Sequence, residues 1–204
     1  MAFKRFRAYL GEGFLIVFSV LFALFINNLA QNYQTKKKKE IALESILKEL
    51  YRNSAIVENW KKHHTEISER LQDIINGKND SLKNKLLEYE NLELRFLTDN
   101  KSLVDAVLSD TAWESAKSSG IVSEFDYNTT ESLTAVYNMQ NVITDKTVMK
   151  ILDLYFDRNS HDMSDLMSTL YQFGLRFYEL VGQESLMEQL YGNAIKDLEA
   201  DNSK

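Results

Sequence analysis

The 204-residue sequence contains no cysteine and no proline, and it has only 7 glycines. Without cysteine, the chain has no disulfide bond, no thiolate metal site and no cysteine nucleophile. Proline and glycine mark turns and long loops, so their scarcity favours long helices joined by short connections. Alternating runs rich in Val, Ile and Thr, which are typical of strands, are also missing. We therefore expect an all-α protein without a β-sheet.

Sequence motifs of catalytic sites are missing too, since the chain has no glycine-rich phosphate loop, no Gly-x-Ser-x-Gly and no His-Glu-x-x-His. Of its 3 histidines, His63 and His64 form a cluster with Glu66. His63 and Glu66 share a helix face at a spacing that can hold a metal, but no third ligand stands nearby. His161 would complete the set only if two distant helices met. We therefore predict no enzyme activity, no cofactor and no metal ion.

The net charge of −6 is divided unevenly along the chain. Residues 1–96 contain 16 lysines and arginines against 12 acidic residues, whereas residues 97–204 contain 8 against 18. Basic side chains are attracted to anionic lipids and phosphates, and acidic side chains are repelled. The acidic half is remote in sequence from the basic half. This division predicts a domain that points away from a membrane and does not bind nucleic acid.

Residues 9–30 form a long apolar run, and residues 14–26 within it carry no charge. As a helix the run is about 33 Å long, enough to cross the hydrocarbon core of a bilayer. A cleaved signal peptide is one alternative, but no small-x-small cleavage site follows and helical sequence continues directly. A buried or interfacial helix is another. We predict a retained, single-pass transmembrane helix behind a basic tail of residues 1–8.

Basic residues flank the predicted anchor on both sides and should face lipid headgroups: Lys4, Arg5 and Arg7 before it, and Lys36, Lys37, Lys38 and Lys39 after it. The positive-inside rule therefore gives conflicting indications of orientation. A short charged N-terminal tail crosses a membrane poorly, whereas a long C-terminal domain crosses regardless of charge. We favour an N-terminus inside the cytoplasm and a domain outside it.

One face of the predicted anchor is small and polar, and we call it the anchor face: Glu12, Ser19, Ala23 and Asn27. Small residues allow two helices to approach closely, and an asparagine amide in a membrane seeks a hydrogen-bond partner. A carboxylate inside an apolar segment is costly. We expect the anchor face to lie on a subunit interface. The alternative is that it faces lipid, with Glu12 reaching the headgroups.

Residues 31–76 continue as a predicted stalk helix whose apolar residues recur three and four apart. We call these positions the seam: Leu43, Ile46, Leu50, Asn53, Val57, Trp60, His64, Ile67, Leu71 and Ile74. A narrow seam suits a coiled coil, and a wider stripe suits a bundle. Because Asn53 can specify register between subunits, we place it on the oligomer interface. If the stalk folds back on its own domain, Asn53 and His64 should contact the same chain.

Residues 77–204 are predicted to form a helical bundle packed with or on the stalk. The expected helices cover residues 81–97, 111–120, 128–157, 160–182 and 185 onwards, with a turn or two at 102–108 and a bend within 138–147. Thr111 and Glu114 have the spacing of a capping box, and Gly120 should end the short helix that follows. Trp60 and Trp113 are predicted to be packing residues.

The stretches Tyr9-Leu10-Gly11-Glu12 and Ala23-Leu24-Phe25-Ile26-Asn27-Asn28 resemble the two ends of the anchor in a family of uncharacterised bacterial single-pass membrane proteins. Thr111-Ala112-Trp113-Glu114, Ser119-Gly120 and Tyr137 are similar to that family's tryptophan-containing helix, Ser-Gly turn and following helix. The resemblance covers most of residues 9–140. It implies a helical domain anchored in the bacterial inner membrane, and it implies no reaction.

Together these features predict an interaction protein, either a scaffold or a signalling subunit, that is oligomeric through its anchor and stalk. Its expected partners are the lipid bilayer, further copies of itself and another protein. The alternative is a membrane-tethered sensor that binds a small ligand or peptide in the bundle. A polar, buried pocket would favour the sensor, and an exposed apolar patch would favour the scaffold.

Overall fold

The computed structural model describes the backbone of residues 2–202 and the side chains of residues 13–200. Its α-helices are α1 (Ala2–Ile75), α2 (Asp80–Leu87), α3 (Arg95–Thr98), α4 (Thr111–Ser118), α5 (Tyr127–Asn141), α6 (Met149–Phe156) and α7 (Leu166–Asn202). Short 3-10 turns cover Ile121–Glu124, Arg158–His161 and Met163–Asp165, and a π-helical segment covers Val142–Val148. No β-strand occurs in residues 2–202, and the predicted all-α class is confirmed.

Helix α1 joins the predicted anchor and stalk in a single helix of 74 residues, about 110 Å long. It ends at Ile75 because Gly77 takes a positive φ of 68°, and the Gly77 and Lys78 N–H groups cap the last turn at Ile74 and Asp73. The apolar side chains of residues 14–29 are exposed, and Leu43 is the first buried position along α1. The bundle therefore begins where the seam begins.

Helix α7 packs antiparallel to the stalk part of α1. The Tyr51 hydroxyl donates to Glu199, His64 pairs with Glu184, and Gly174 lies opposite Ile75. This direction carries the acidic end of α7 back towards the anchor end of the stalk. Separation in sequence therefore did not mean separation in space, since part of the acidic half lies beside the basic half.

The predicted break at Gly182 is wrong, because α7 runs through it without interruption. Buried positions on either side keep a spacing of three and four, as shown by Leu180, Glu184, Met187 and Tyr191. A glycine inside a helix costs only about 1 kcal/mol relative to alanine. Packing of this continuous stripe offsets that cost, so the helix does not end.

The expected bend within residues 138–147 corresponds to the π-helical segment Val142–Val148, which links α5 to α6. A π-turn inserts an extra residue and turns the side chains that follow to a new face. Here Ile143 and Val148 are both buried, and the Thr147 hydroxyl donates to Gln183 Oε1 at 2.7 Å. The bend therefore keeps both α5 and α6 against α7.

Residues 99–110, which we call the strap, are not helical, so the predicted helical turns at 102–108 are wrong. The predicted helix over 81–97 is also interrupted, since α2 ends at Leu87 and Asp99 and Asn100 take positive φ values after α3. The strap runs back along α1 towards the N-terminal end of that helix. Its backbone carbonyls at Leu103 and Ser109 accept hydrogen bonds from seam side chains, and these bonds satisfy groups that a helix would otherwise satisfy internally.

Candidate functional site

The described side chains of the anchor are not buried by any other part of the chain. One helix among the described residues is long and apolar enough to cross a membrane, and none of its most apolar window is buried. Ser19 and Ala23 are exposed, and the Ser19 hydroxyl donates to the Leu15 carbonyl at 2.8 Å. The exposed Asn27 amide has no hydrogen-bond partner within residues 13–200. The Asn27 amide is therefore unpaired, whereas the Ser19 hydroxyl hydrogen is already used and only its oxygen is left to accept.

The basic flanks are only partly described. The side chains of Lys4, Arg5, Arg7 and Glu12 lie outside the described residues. On the other flank, Lys36, Lys37 and Lys38 are exposed, and Lys39 is half-buried. Lys39 lies close enough to Asp126 to contribute to the lowered pKa of that carboxyl, although hydrogen bonds from Thr129 are the main cause. One cation is therefore engaged by the bundle.

Asn53 does not lie on a subunit interface, and that prediction is corrected. Its side chain is fully buried in its own chain. The Asn53 amide donates to the Ser109 carbonyl at 2.6 Å and accepts from the Ser109 N–H at 3.0 Å, and it also donates to Gln140 Oε1 at 3.3 Å. Because these bonds use both ends of the amide, Asn53 fixes the strap to α1 and α5.

All ten seam residues are buried against the rest of the chain. The alternative in which the stalk folds back on its own domain therefore describes the structure. Trp60, 2% exposed, donates its indole N–H to Asp105 Oδ1 in the strap at 2.9 Å. The seam thus has no face left for a coiled coil with a second copy.

A buried carboxylate on α1, Glu49, holds the start of α4. Glu49 Oε2 accepts from the Ala112 N–H at 2.9 Å and from the Ser109 hydroxyl at 2.7 Å, and Oε1 accepts from the Tyr137 hydroxyl at 2.7 Å. The pKa of Tyr137 is raised far above its ordinary value, chiefly by burial and next by the hydrogen bond to Glu49. Sequence reasoning did not identify Glu49, because the groups that bond to it are about 60 and 90 residues away in the chain.

The predicted capping box at Thr111 and Glu114 does not form. Helix α4 begins at Thr111, its N-cap is Asp110, and the Asp110 side chain makes no capping bond. Glu114 pairs with Lys117 instead. Other local predictions agree with the structure: Trp113 is 5% exposed and stacks on Tyr137, and Gly120 has φ 75° directly after α4.

A second buried polar group joins α1, α7 and the strap. His64 Nδ1 lies 2.6 Å from Glu184 Oε1, and His64 Nε2 lies 2.8 Å from the Leu103 carbonyl oxygen. Both side chains are fully buried, and Glu184 Oε2 has no partner among the described atoms. Burial raises the pKa of Glu184, although the contact with His64 opposes the rise. The Glu184 carboxyl therefore holds its proton more tightly than an ordinary glutamate does.

A polar cleft of about 510 Å³ lies beside this pair, between α1 and the strap. It is lined by Asn59, Trp60, Lys62, His63, Glu66, Lys101, Ser102, Leu103 and Asp105. Both ring nitrogens of His63 are covered and lack partners, and burial lowers the pKa of His63. His161 is not part of this cleft and contacts the Tyr155 carbonyl. The described side chains contain no group of three or more His, Asp or Glu arranged to hold a metal ion.

A second cleft, which we call the groove, has a volume of about 680 Å³ and lies between α1 and α4 at the end of the bundle nearest the anchor. Its α1 wall consists of Lys38, Ile41, Ala42, Ser45 and Glu49, and its other wall consists of Thr111, Ala112, Ser115, Ala116, Ser119 and Ile121. Most of these side chains are small or apolar. Another helix therefore has access to the backbones of both walls at close range.

No protein-family model, curated protein sequence or solved structure matches this chain. The resemblance of the anchor and the Trp113 helix to a bacterial membrane family stays a prediction.

Proposed function

We propose that this chain is a membrane-anchored helical interaction protein, a scaffold or signalling subunit that self-associates through its anchor face and holds its bundle outside the cytoplasm. The observation that carries the proposal is the anchor itself. Its apolar window is entirely unburied by its own chain, whereas every seam residue beyond Leu43 is covered. A bilayer removes the apolar window of the anchor from water, as the bundle removes the seam from water.

Self-association through the anchor follows from the unpaired Asn27 amide. An amide in hydrocarbon without a partner is unfavourable, and a second helix can supply the missing donor and acceptor. Ser19 already bonds to its own backbone, so it contributes small size rather than a hydrogen bond. Ala23, four residues before Asn27, keeps the face narrow enough for close contact.

The bundle adds rigidity rather than a coiled-coil interface. The two buried polar clusters fix the strap to α1 through Asn53 and His64, and Glu49 fixes the start of α4. Unlike an obligate oligomer, this domain buries its own seam. We therefore expect the bundle to fold as a monomer and to display its surface to a further protein.

The absence of cysteine from the sequence makes disulfide cross-linking a clean test. Single cysteines at Ala23 and Asn27 in native membranes should give dimers on mild oxidation. Cysteines at Phe18 and Phe22, on another face of the helix, should give several-fold less. Equal cross-linking at all four sites would contradict the interface, and release of the protein by a carbonate wash would contradict the anchor.

Orientation can be tested in the same background. A cysteine at the exposed residue Lys62 should react in intact spheroplasts with a maleimide that does not cross membranes. A cysteine in the N-terminal tail, at Ala2, should react only after permeabilisation. The opposite pattern would place the bundle in the cytoplasm.

A sensor is the second candidate, and the cleft at His63 favours it. His63 presents two covered, unpartnered ring nitrogens beside the cations Lys62 and Lys101 and the carboxylates Glu66 and Asp105. Such a lining suits a small ligand with both charges. Small zwitterions such as amino acids should raise the unfolding temperature of the full chain in nanodiscs, and H63L should abolish the rise. No shift across such a panel would argue against the sensor.

A further inference from the structure

The rotational phase of α1 passes unchanged from the anchor to the bundle, because α1 has no break between Ala2 and Ile75. An α-helix repeats every 3.6 residues, so residues 18 apart are separated by about five full turns and face the same direction. Ser45 therefore lies directly above Asn27, and Ile41 lies directly above Ala23. The anchor face continues into the α1 wall of the groove.

The bundle leaves this one continuation of the anchor face uncovered. Ile41 is 55% exposed and Ser45 is also exposed, whereas Leu43 and Ile46, which point elsewhere on the same turns, are buried by the bundle. The α4 wall opposite presents the exposed, small side chain of Ser115. The groove is therefore an open channel directly above the face on which a second anchor would pack.

We propose that α1 of a second copy of this chain occupies the groove, so that two α1 helices run side by side from the anchor to about Ser45. The inference rests on the proposed self-association of the anchor. In a two-fold pair the same surface is used twice. Each Ile41 enters the groove of the other copy, and each α4 covers one side of the other copy's α1.

The groove also defines where this pairing stops. Glu49 closes its upper end, since that carboxylate is buried and already bonded to α4 and Tyr137. At its lower end the two copies bring Lys38 together, and anionic headgroups screen this repulsion. The paired segment therefore ends about two turns below Asn53, where the strap bonds to α1.

A lipid acyl chain fits the groove less well than a helix does. Lys38, at the mouth of the groove, lies eight residues beyond Ala30, which is about 12 Å along the helix. An acyl chain would have to leave the hydrocarbon core to reach it. A second α1 that leaves the bilayer beside the first one passes through this position without such a step.

Cysteine cross-linking of the full chain in native membranes tests the proposal. I41C should form disulfide dimers to an extent comparable with A23C. E40C is the matched control, because Glu40 is exposed, lies at the same height and faces away from the groove, and it should give at least five-fold less dimer. Dimers at A23C with none at I41C would overturn the groove pairing and leave the anchor proposal standing. Loss of dimers at both sites would remove both proposals.

A filled groove gives an independent test. S115W places a large side chain on the exposed α4 wall of the groove, whereas S118W places it on the same helix outside the groove. In the I41C background, S115W should reduce dimer formation about ten-fold and S118W should not, and A23C dimers should persist with either. An I41C dimer that is insensitive to S115W, or lipid bound in the groove of the purified dimer by mass spectrometry, would overturn the proposal.

Discussion

The buried pair of His64 and Glu184 allows its protonation state to be tested by stability measurements. A carbonyl oxygen only accepts, so His64 Nε2 must carry a hydrogen towards Leu103. One proton is then shared between His64 Nδ1 and Glu184 Oε1 across 2.6 Å. Because Glu184 Oε2 has no partner and burial raises the pKa of Glu184, we place that proton on the acid.

The variant E184Q distinguishes the neutral pair from an ion pair. A glutamine amide keeps the size of the acid and still donates to Nδ1, so the free energy of unfolding should stay within about 1 kcal/mol of the wild type. If the pair were an imidazolium and a carboxylate, E184Q would leave a buried cation unpaired and cost about 3–5 kcal/mol. H64L leaves the Glu184 acid and the Leu103 carbonyl unsatisfied, at about 1–3 kcal/mol for each group.

The dependence on pH supplies a second readout. Since the folded chain raises the pKa of Glu184, the stabilisation is complete below the ordinary glutamate pKa of about 4.3 and is lost as pH rises through the folded value. E184Q removes the group that holds this proton. Its unfolding free energy should therefore fall less steeply than that of the wild type as pH rises above about 4.3, by up to about 1.4 kcal/mol per pH unit.

Urea unfolding of a fragment starting at Lys36, followed by tryptophan fluorescence and circular dichroism, measures these changes. Both tryptophans, Trp60 and Trp113, are buried in the bundle, so their emission reports its packing. An E184Q cost as large as that of H64L would refute the neutral pair, and parallel pH profiles for E184Q and the wild type would refute the raised pKa of Glu184.

Three further predictions use the same unfolding assay. W113A should cost about 3–5 kcal/mol, because the ring is buried on Tyr137; a cost below 1 kcal/mol would remove its packing role. G182A should stabilise by about 0.5–1 kcal/mol, since nothing lies within 4 Å of the added Cβ, whereas G174A should gain less because that Cβ would lie 3.2 Å from Ile75 Cδ1; equal gains would contradict this contact. G120V should be destabilising, since Gly120 has φ 75°, and an unchanged unfolding midpoint would show that the left-handed conformation is not required.

Local periodicity was sufficient to predict the long elements of this protein. The uncharged run over residues 14–26 and the seam that follows predicted helices that the structure joins as α1, and the predicted stalk boundary at residue 76 agrees with the end of α1 at Ile75. These predictions succeeded because helical spacing depends on residues three and four apart, which a sequence shows directly. The same applies to the Trp113 helix and the turn at Gly120.

The sequence could not show which surface covers the seam. A stripe of apolar residues is buried equally well by a second copy or by the chain's own helices, and its period is the same in both cases. The structure decided in favour of α7 and the strap. Asn53, which suggested a coiled-coil register, instead bonds to the strap carbonyl of Ser109, and His64 bonds to that of Leu103.

Tertiary contacts also decided where helices begin, break and continue. Glu49 caps α4 from 63 residues away, and α7 passes Gly182 because both flanks pack on α1. The strap forms no helix, because seam side chains supply hydrogen bonds to its backbone groups. What the sequence determined by itself was the direction in which each helix hides its apolar face. What fills the space beside that face depends on groups far away in the chain, and only the folded structure brings those groups together.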